Sequence, residues 1–70
     1  MPDFSDIAAA EEMGRKVRMH REALGWSVEE LSENAFVDVH LLNDIENGIK
    51  YPARGTIFKL SKALGQRLYV

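Results

Sequence analysis

LGWSVEELSENAFVDVHLLNDIENG, residues Leu24 to Gly48, sets two helix starts and two helix stops within one short stretch. Ser27-Val28-Glu29-Glu30 is a capping box, in which the Ser27 hydroxyl and the Glu30 carboxylate each satisfy the other's backbone N–H at a helix start. Leu31 and Ala35, with Val28 at the start, give that helix one apolar side. Phe36-Val37 forms the break, and Asp38 has the side chain to cap a second helix. Leu41, Leu42 and Ile45 then recur at helical spacing, which leaves Val39, His40, Asn43, Asp44 and Asn47 on the opposite side. Gly25 and Gly48 supply left-handed stops at the two ends. The spacing predicts helices over about 28–35 and 39–47, joined by a tight turn.

Working outward, Ser5 or Asp6 can cap an earlier helix. Ile7, Ala10, Met13, Val17 and Leu24 form its stripe, and Arg21 falls on or beside that stripe where an apolar residue is expected. This predicts a helix over about 6–24, preceded by a tail at 1–5. On the other side, Pro52 sits where a helix can start but not continue. Ile57, Leu60 and Leu64 give a fourth helix its stripe, flanked by Phe58 and Ala63, and Gly65 closes it. The domain therefore runs from 6 to 65. Residues 66–70, Gln-Arg-Leu-Tyr-Val, are rich in β-favouring side chains and read as a strand or tail. A lone five-residue strand is not stable. Its nearest partner is the same strand of a second chain, which makes Leu68, Tyr69 and Val70 candidate dimer contacts.

Seventy residues make one small domain with a single core and no room for a deep catalytic cleft. The chain has no cysteine, which rules out disulfides and thiolate metal sites and suits a reducing cytosol. No apolar run approaches the roughly 20 residues that span a bilayer. MPDFSDIAAAEEMGRK lacks the basic start and apolar stretch of a signal peptide, so a cytoplasmic location is expected. His20 and His40 have no further ligands around them at metal-site spacing. The acids Glu29, Glu30 and Glu33 are explained by the dipole at a helix start and a solvated face. No nucleophile motif or phosphate loop accompanies them, so no catalytic residue, metal or cofactor is expected. Net charge is −2, with nine basic and eleven acidic side chains. Arg15, Lys16, Arg18 and Arg21 precede the central stretch, and Lys50, Arg54, Lys59, Lys62 and Arg67 follow it.

Arg18-x-x-Arg21-x-x-x-Gly25-Trp26-Ser27-x-Glu29-Glu30-Leu31-Ser32, then Val37, Leu42, Ile45-Glu46-Asn47-Gly48, Pro52 and Leu60-Ser61-Lys62-Ala63-Leu64-Gly65, resembles the Cro/C1-type (Xre) helix-turn-helix family over about residues 13–65. The ending Ala-Leu-Gly-x-x-Leu-x-Val looks similar to its HipB-like antitoxin branch. The resemblance implies an all-α, four-to-five-helix lambda-repressor-like DNA-binding domain, with a short C-terminal β-strand in that branch. It implies a transcriptional regulator acting on double-stranded DNA as a homodimer, and in the antitoxin case a toxin or other protein partner as well.

By the same resemblance, Arg21 and Glu46 form a structural ion pair between the first and third helices. Val39, His40, Asn43 and Asp44 would meet base edges, while Ser27, Val28 and Asn47 lie near the DNA backbone. Lys50 and Tyr51, with Arg54 next, are the best remaining candidates for phosphate contact.

The chain also departs from the family pattern. Val28 replaces the usual glutamine, Asp44 puts an acid where a polar or basic residue is usual, and Phe36 replaces the usual turn glycine. From Ser27 to Gly48 there is no lysine or arginine, but there are six acids: Glu29, Glu30, Glu33, Asp38, Asp44 and Glu46. Each cation that neutralises a phosphate adds affinity by counterion release, and this stretch supplies none. The alternative reading is a protein-interaction module, antitoxin or co-regulator, built on the same scaffold with weak or no DNA binding.

Overall fold

The computed structural model describes residues 4–68 and holds four helices: α1 (Phe4–Ala23), α2 (Val28–Ala35), α3 (Val39–Glu46) and α4 (Arg54–Leu64). No strand occurs among the described residues. α1 packs chiefly against α3 and α2 against α4, with α2 and α3 also in contact. The core lies where these pairs meet. Val17, Leu31, Leu42, Ile45 and Leu60 are fully buried there, with Met13, Ala35, Val37, Ile57 and Leu64 around them. Burying a side chain of the leucine or isoleucine class contributes about 1.5–3 kcal/mol.

The local signals act as ordinary helix chemistry requires. The Ser27 hydroxyl accepts from the Glu30 N–H at 3.0 Å, and the Ser27 N–H donates to the Glu30 carboxylate at 2.9 Å. One Asp38 carboxylate oxygen accepts the His40 and Leu41 N–H groups at 2.9 and 3.2 Å, which starts α3. α2 ends on Phe36, held at φ 58° and ψ 44°. That is the left-handed conformation the family's glycine would adopt without strain, so the turn keeps its shape in spite of the substitution. Ser32 reinforces it, because its hydroxyl donates to the Val37 carbonyl.

Several sequence expectations are corrected. α1 starts at Phe4, so Ser5 and Asp6 lie inside its first turn and neither is the cap. Ile7 and Leu24 are exposed; the buried stripe of α1 is Ala10, Met13 and Val17. α4 starts at Arg54 with Ala53 at its cap, one residue beyond Pro52. Phe58, placed beside the core stripe, is exposed. Leu68, expected at a dimer contact, is 1 % exposed and closes this chain's own core. Its N–H donates to the Ser61 hydroxyl at 3.3 Å. A side chain already buried in its own domain has no surface left for a partner. Tyr69 and Val70 lie outside the described residues.

One feature had no counterpart in the periodicity. Gly14 sits inside α1 where α3 ends against it. A β-carbon there would stand 2.4 Å from the Ile45 carbonyl oxygen and 2.8 Å from that of Glu46. Both are backbone atoms and cannot swing aside. Gly14 therefore sets how closely the first and third helices approach.

Candidate nucleic-acid interface

α3 presents its outer side to solvent. His40, Asn43 and Asn47 are exposed along it, Val39 and Asp44 are half-buried at its margins, and Leu42, Ile45 and Glu46 point inward. His40, Asn43 and Asn47 step by three and four residues, so they line up on one helix side.

The C-terminal end of α3 is anchored to α1 by a guanidinium network. Arg21 donates from Nε to Glu46 Oε2 at 2.7 Å and from Nη2 to Oε1 at 2.9 Å, a two-point bond. Its Nη1 donates to the Trp26 carbonyl at 2.8 Å, which ties the α1–α2 corner to the same cluster. The side chains of Arg21 and Glu46 are only 11 % and 2 % exposed. The hydrogen bond to Glu46 holds the Arg21 pKa above its ordinary value, outweighing the burial that would lower it. This explains the arginine in the stripe of α1: its charge is matched at the one place where α3 brings a buried carboxylate.

Arg18, one turn earlier on α1, completes the network. Its Nε reaches Glu46 at 3.3 Å, and its Nη2 donates to Asn47 Oδ1 at 3.0 Å. The side chain is 46 % exposed. Asn47 thus has its oxygen engaged while its NH2 group is left for donation. Arg18 is not among the phosphate candidates that the sequence singles out. Its three-residue spacing from Arg21, which places both on one helix side, was the available signal.

The remaining candidates are dispersed around this surface. Ser27 is exposed, and its hydroxyl keeps a donor while accepting from Glu30. Val28 is half-buried and packs its side chain on the core, so what it offers a phosphate is its backbone N–H at the start of α2. Lys50 and Tyr51 are exposed in the loop after α3, and Arg54 is exposed at the start of α4. The Lys50 ammonium lies 4.0 Å from the Asp44 carboxylate. The Asp44 carbonyl also accepts the Ile49 and Lys50 N–H groups, at 2.9 and 3.4 Å, folding the loop back onto the helix. The Asp44 carboxylate and the Lys50 ammonium, both expected at the DNA surface, thus lie beside each other. Arg54 makes no ion pair among the described residues.

Among the described residues, no helix is long and apolar enough to cross a membrane. Comparison with known protein families matches residues 17–69 of the 70 to one described as helix-turn-helix. No curated protein and no solved structure matches the chain.

Proposed function

The chain belongs to the Cro/C1-type helix-turn-helix family, and on that premise we propose that it is a sequence-specific transcriptional regulator that binds double-stranded DNA as a homodimer. The family is one of DNA-binding regulatory domains rather than enzymes. The observation that carries the reading is the exposed row His40, Asn43 and Asn47 on a helix whose far end is anchored through Glu46. His40 suits a guanine acceptor edge, Asn43 an adenine, and Val39 a thymine methyl; Asp44 suits a cytosine amino group. Ser27, the Val28 amide, Asn47, Lys50, Tyr51 and Arg54 hold the phosphates on either side. A two-fold dimer would present two copies of α3 about 34 Å apart, one turn of the duplex.

With so few unpaired cations near α3, this regulator depends on base contacts and on two-fold repetition more than on charge. A fluorescence titration against the DNA upstream of its own coding region and a scrambled duplex, at several salt concentrations, tests the reading. Tighter, salt-sensitive binding to the first is expected. No difference between the duplexes, or no binding at low salt, overturns it.

A second reading, a protein-interaction module on this scaffold, is favoured by one specific observation. Two phenylalanines, Phe36 and Phe58, are exposed on a side to which α3 contributes nothing.

A further inference from the structure

Two cavities adjoin along α4, and no residue of α3 lines either of them. One, of about 480 Å³, lies between the end of α2 and the middle of α4, with Ala35 and Ala63 in its lining. The other, of about 310 Å³, lies at the end of α4 and the turn beyond it. Phe58 and Lys62 line both, so the two form one groove with these side chains as its shared ridge. Phe36 stands at the α2 edge, 84 % exposed, and is the one non-glycine residue at positive φ among the described residues. A strained and solvated phenylalanine at a turn suited to glycine is doubly unfavourable for the domain by itself. Such an outlier points to a role that the domain by itself does not show.

Charge along this groove has one sign. Lys59 and Lys62 line the larger cavity, Lys62 and Arg67 the smaller one, and no carboxylate of the described residues lines either. None of these three cations makes an ion pair among the described residues. That stands out in a chain where acids outnumber bases by eleven to nine.

We propose that this groove docks an acidic, apolar segment of a partner protein, with large apolar side chains on one side and carboxylates along one edge. A groove between two helices takes the apolar side of an amphipathic helix, whose anchors recur at three-, four- and seven-residue steps. Such anchors fit between Phe36 and Phe58, over Ala35 and Ala63. The carboxylates then meet Lys59, Lys62 and Arg67. A basic segment would meet three like charges with no acid in the groove to offset them. A nucleic-acid backbone would satisfy the cations and leave the apolar floor unused. The proposal rests on the second reading above, that this scaffold holds a protein, and names the partner's chemistry. It makes no use of α3, so the same domain can hold DNA on its other side.

The test is a selection by the full chain from a random phage-displayed library of peptides of about four helical turns, followed by anisotropy titration of the recovered peptides. Recovered sequences should be enriched in aspartate and glutamate interleaved with leucine and aromatic residues. Lys62→Glu should weaken their binding by about tenfold or more, and Phe58→Ala by a similar factor. Arg15→Glu, the same change of net charge at an exposed side chain outside the groove, should bind as the parent does. Phe36→Asn suits the left-handed turn; it should fold at least as well as the parent and still lose affinity, so a folding defect cannot mimic the result.

Peptides without enriched acids, or a Lys62→Glu variant that binds as the parent does, overturn the acidic partner. If Phe58→Ala then still loses binding, the protein-docking reading survives that failure. Recovery of no peptide, or of peptides indifferent to both Phe36→Asn and Phe58→Ala, overturns the two together. Capture of a poly-dT strand or of phosphatidylserine vesicles through Lys62, with no peptide recovered, gives the groove to a nucleic acid or a lipid surface and overturns them as well.

Discussion

The two ends of α3 are held by opposite means. At its C-terminal end, Gly14 admits the helix into backbone contact with α1, and Arg18 and Arg21 converge on the buried Glu46. At its N-terminal end the helix hangs from a solvated turn, in which Phe36 occupies a conformation that costs a non-glycine residue about 1–2 kcal/mol. One end is over-determined by matched charge and close packing. The other carries a residue that local energetics would replace. The contrast separates what fixes the angle of the helix from what the surrounding surface is used for.

The anchored end should give the largest response. Glu46→Ala leaves the Arg21 guanidinium buried without its partner, and loss of one member of such a pair costs about 3–5 kcal/mol. Since domains are stable by only about 5–15 kcal/mol, urea melts should show a variant near the edge of folding. A loss under 1 kcal/mol would mean that the pair does not anchor α3.

Gly14→Ala comes next and separates propensity from contact. Helix propensity alone favours alanine by about 1 kcal/mol. The 2.4 Å approach to the Ile45 carbonyl predicts instead a net loss of about 1–3 kcal/mol, as for other overpacked sites. A stabilised variant would show that α3 simply moves aside.

The turn should respond with the other sign. Phe36→Gly relieves the left-handed penalty and gives back part of it, about 0.4–1 kcal/mol, as unfolded-chain entropy. A gain of up to about 1 kcal/mol in denaturant melts is expected. A destabilised variant would mean that Phe36 packs better than its exposure suggests.

The smallest effect on stability belongs to Arg18→Ala, since an ion pair with one partner so exposed is worth under about 1 kcal/mol. Its readout is the salt dependence of DNA binding. A residue that only orients Asn47 lowers affinity and leaves the salt slope unchanged; one that meets a phosphate lowers the slope by about one.

Much of this arrangement was legible in the residues themselves, because it rests on short-range chemistry. Ser27 with Glu30, and Asp38 alone, announce helix starts through contacts within three residues. Arg21 announced itself by being out of place in an apolar stripe. What stayed hidden depends on elements far apart in the chain. Gly14 reads as a weak point in a helix until the backbone that crosses it is known. Leu68 follows a stop and a polar pair, so nothing nearby tells whether it turns back onto its own core or away from it. Phe36 kept the turn that glycine would make, an outcome decided by packing on both sides of the turn rather than by its own preference. Val28 and Arg18 were hidden for a similar reason: packing on the core claimed one side chain, and partners at the end of α3 engaged the other.

The pairing of Lys50 with Asp44 makes salt act on both sides of the binding equilibrium. On the proposed DNA-binding reading, Lys50 would leave a carboxylate, rather than only a cloud of free ions, on reaching a phosphate, and added salt would loosen that starting pair as well as the final one. This lysine would therefore contribute less than a full counterion to the salt response. Its pull on an approaching duplex is shortened too, because seen from a distance the pair is a dipole rather than a charge. The protein would find DNA slowly for its cation count, and would tolerate rising ionic strength better than that count implies.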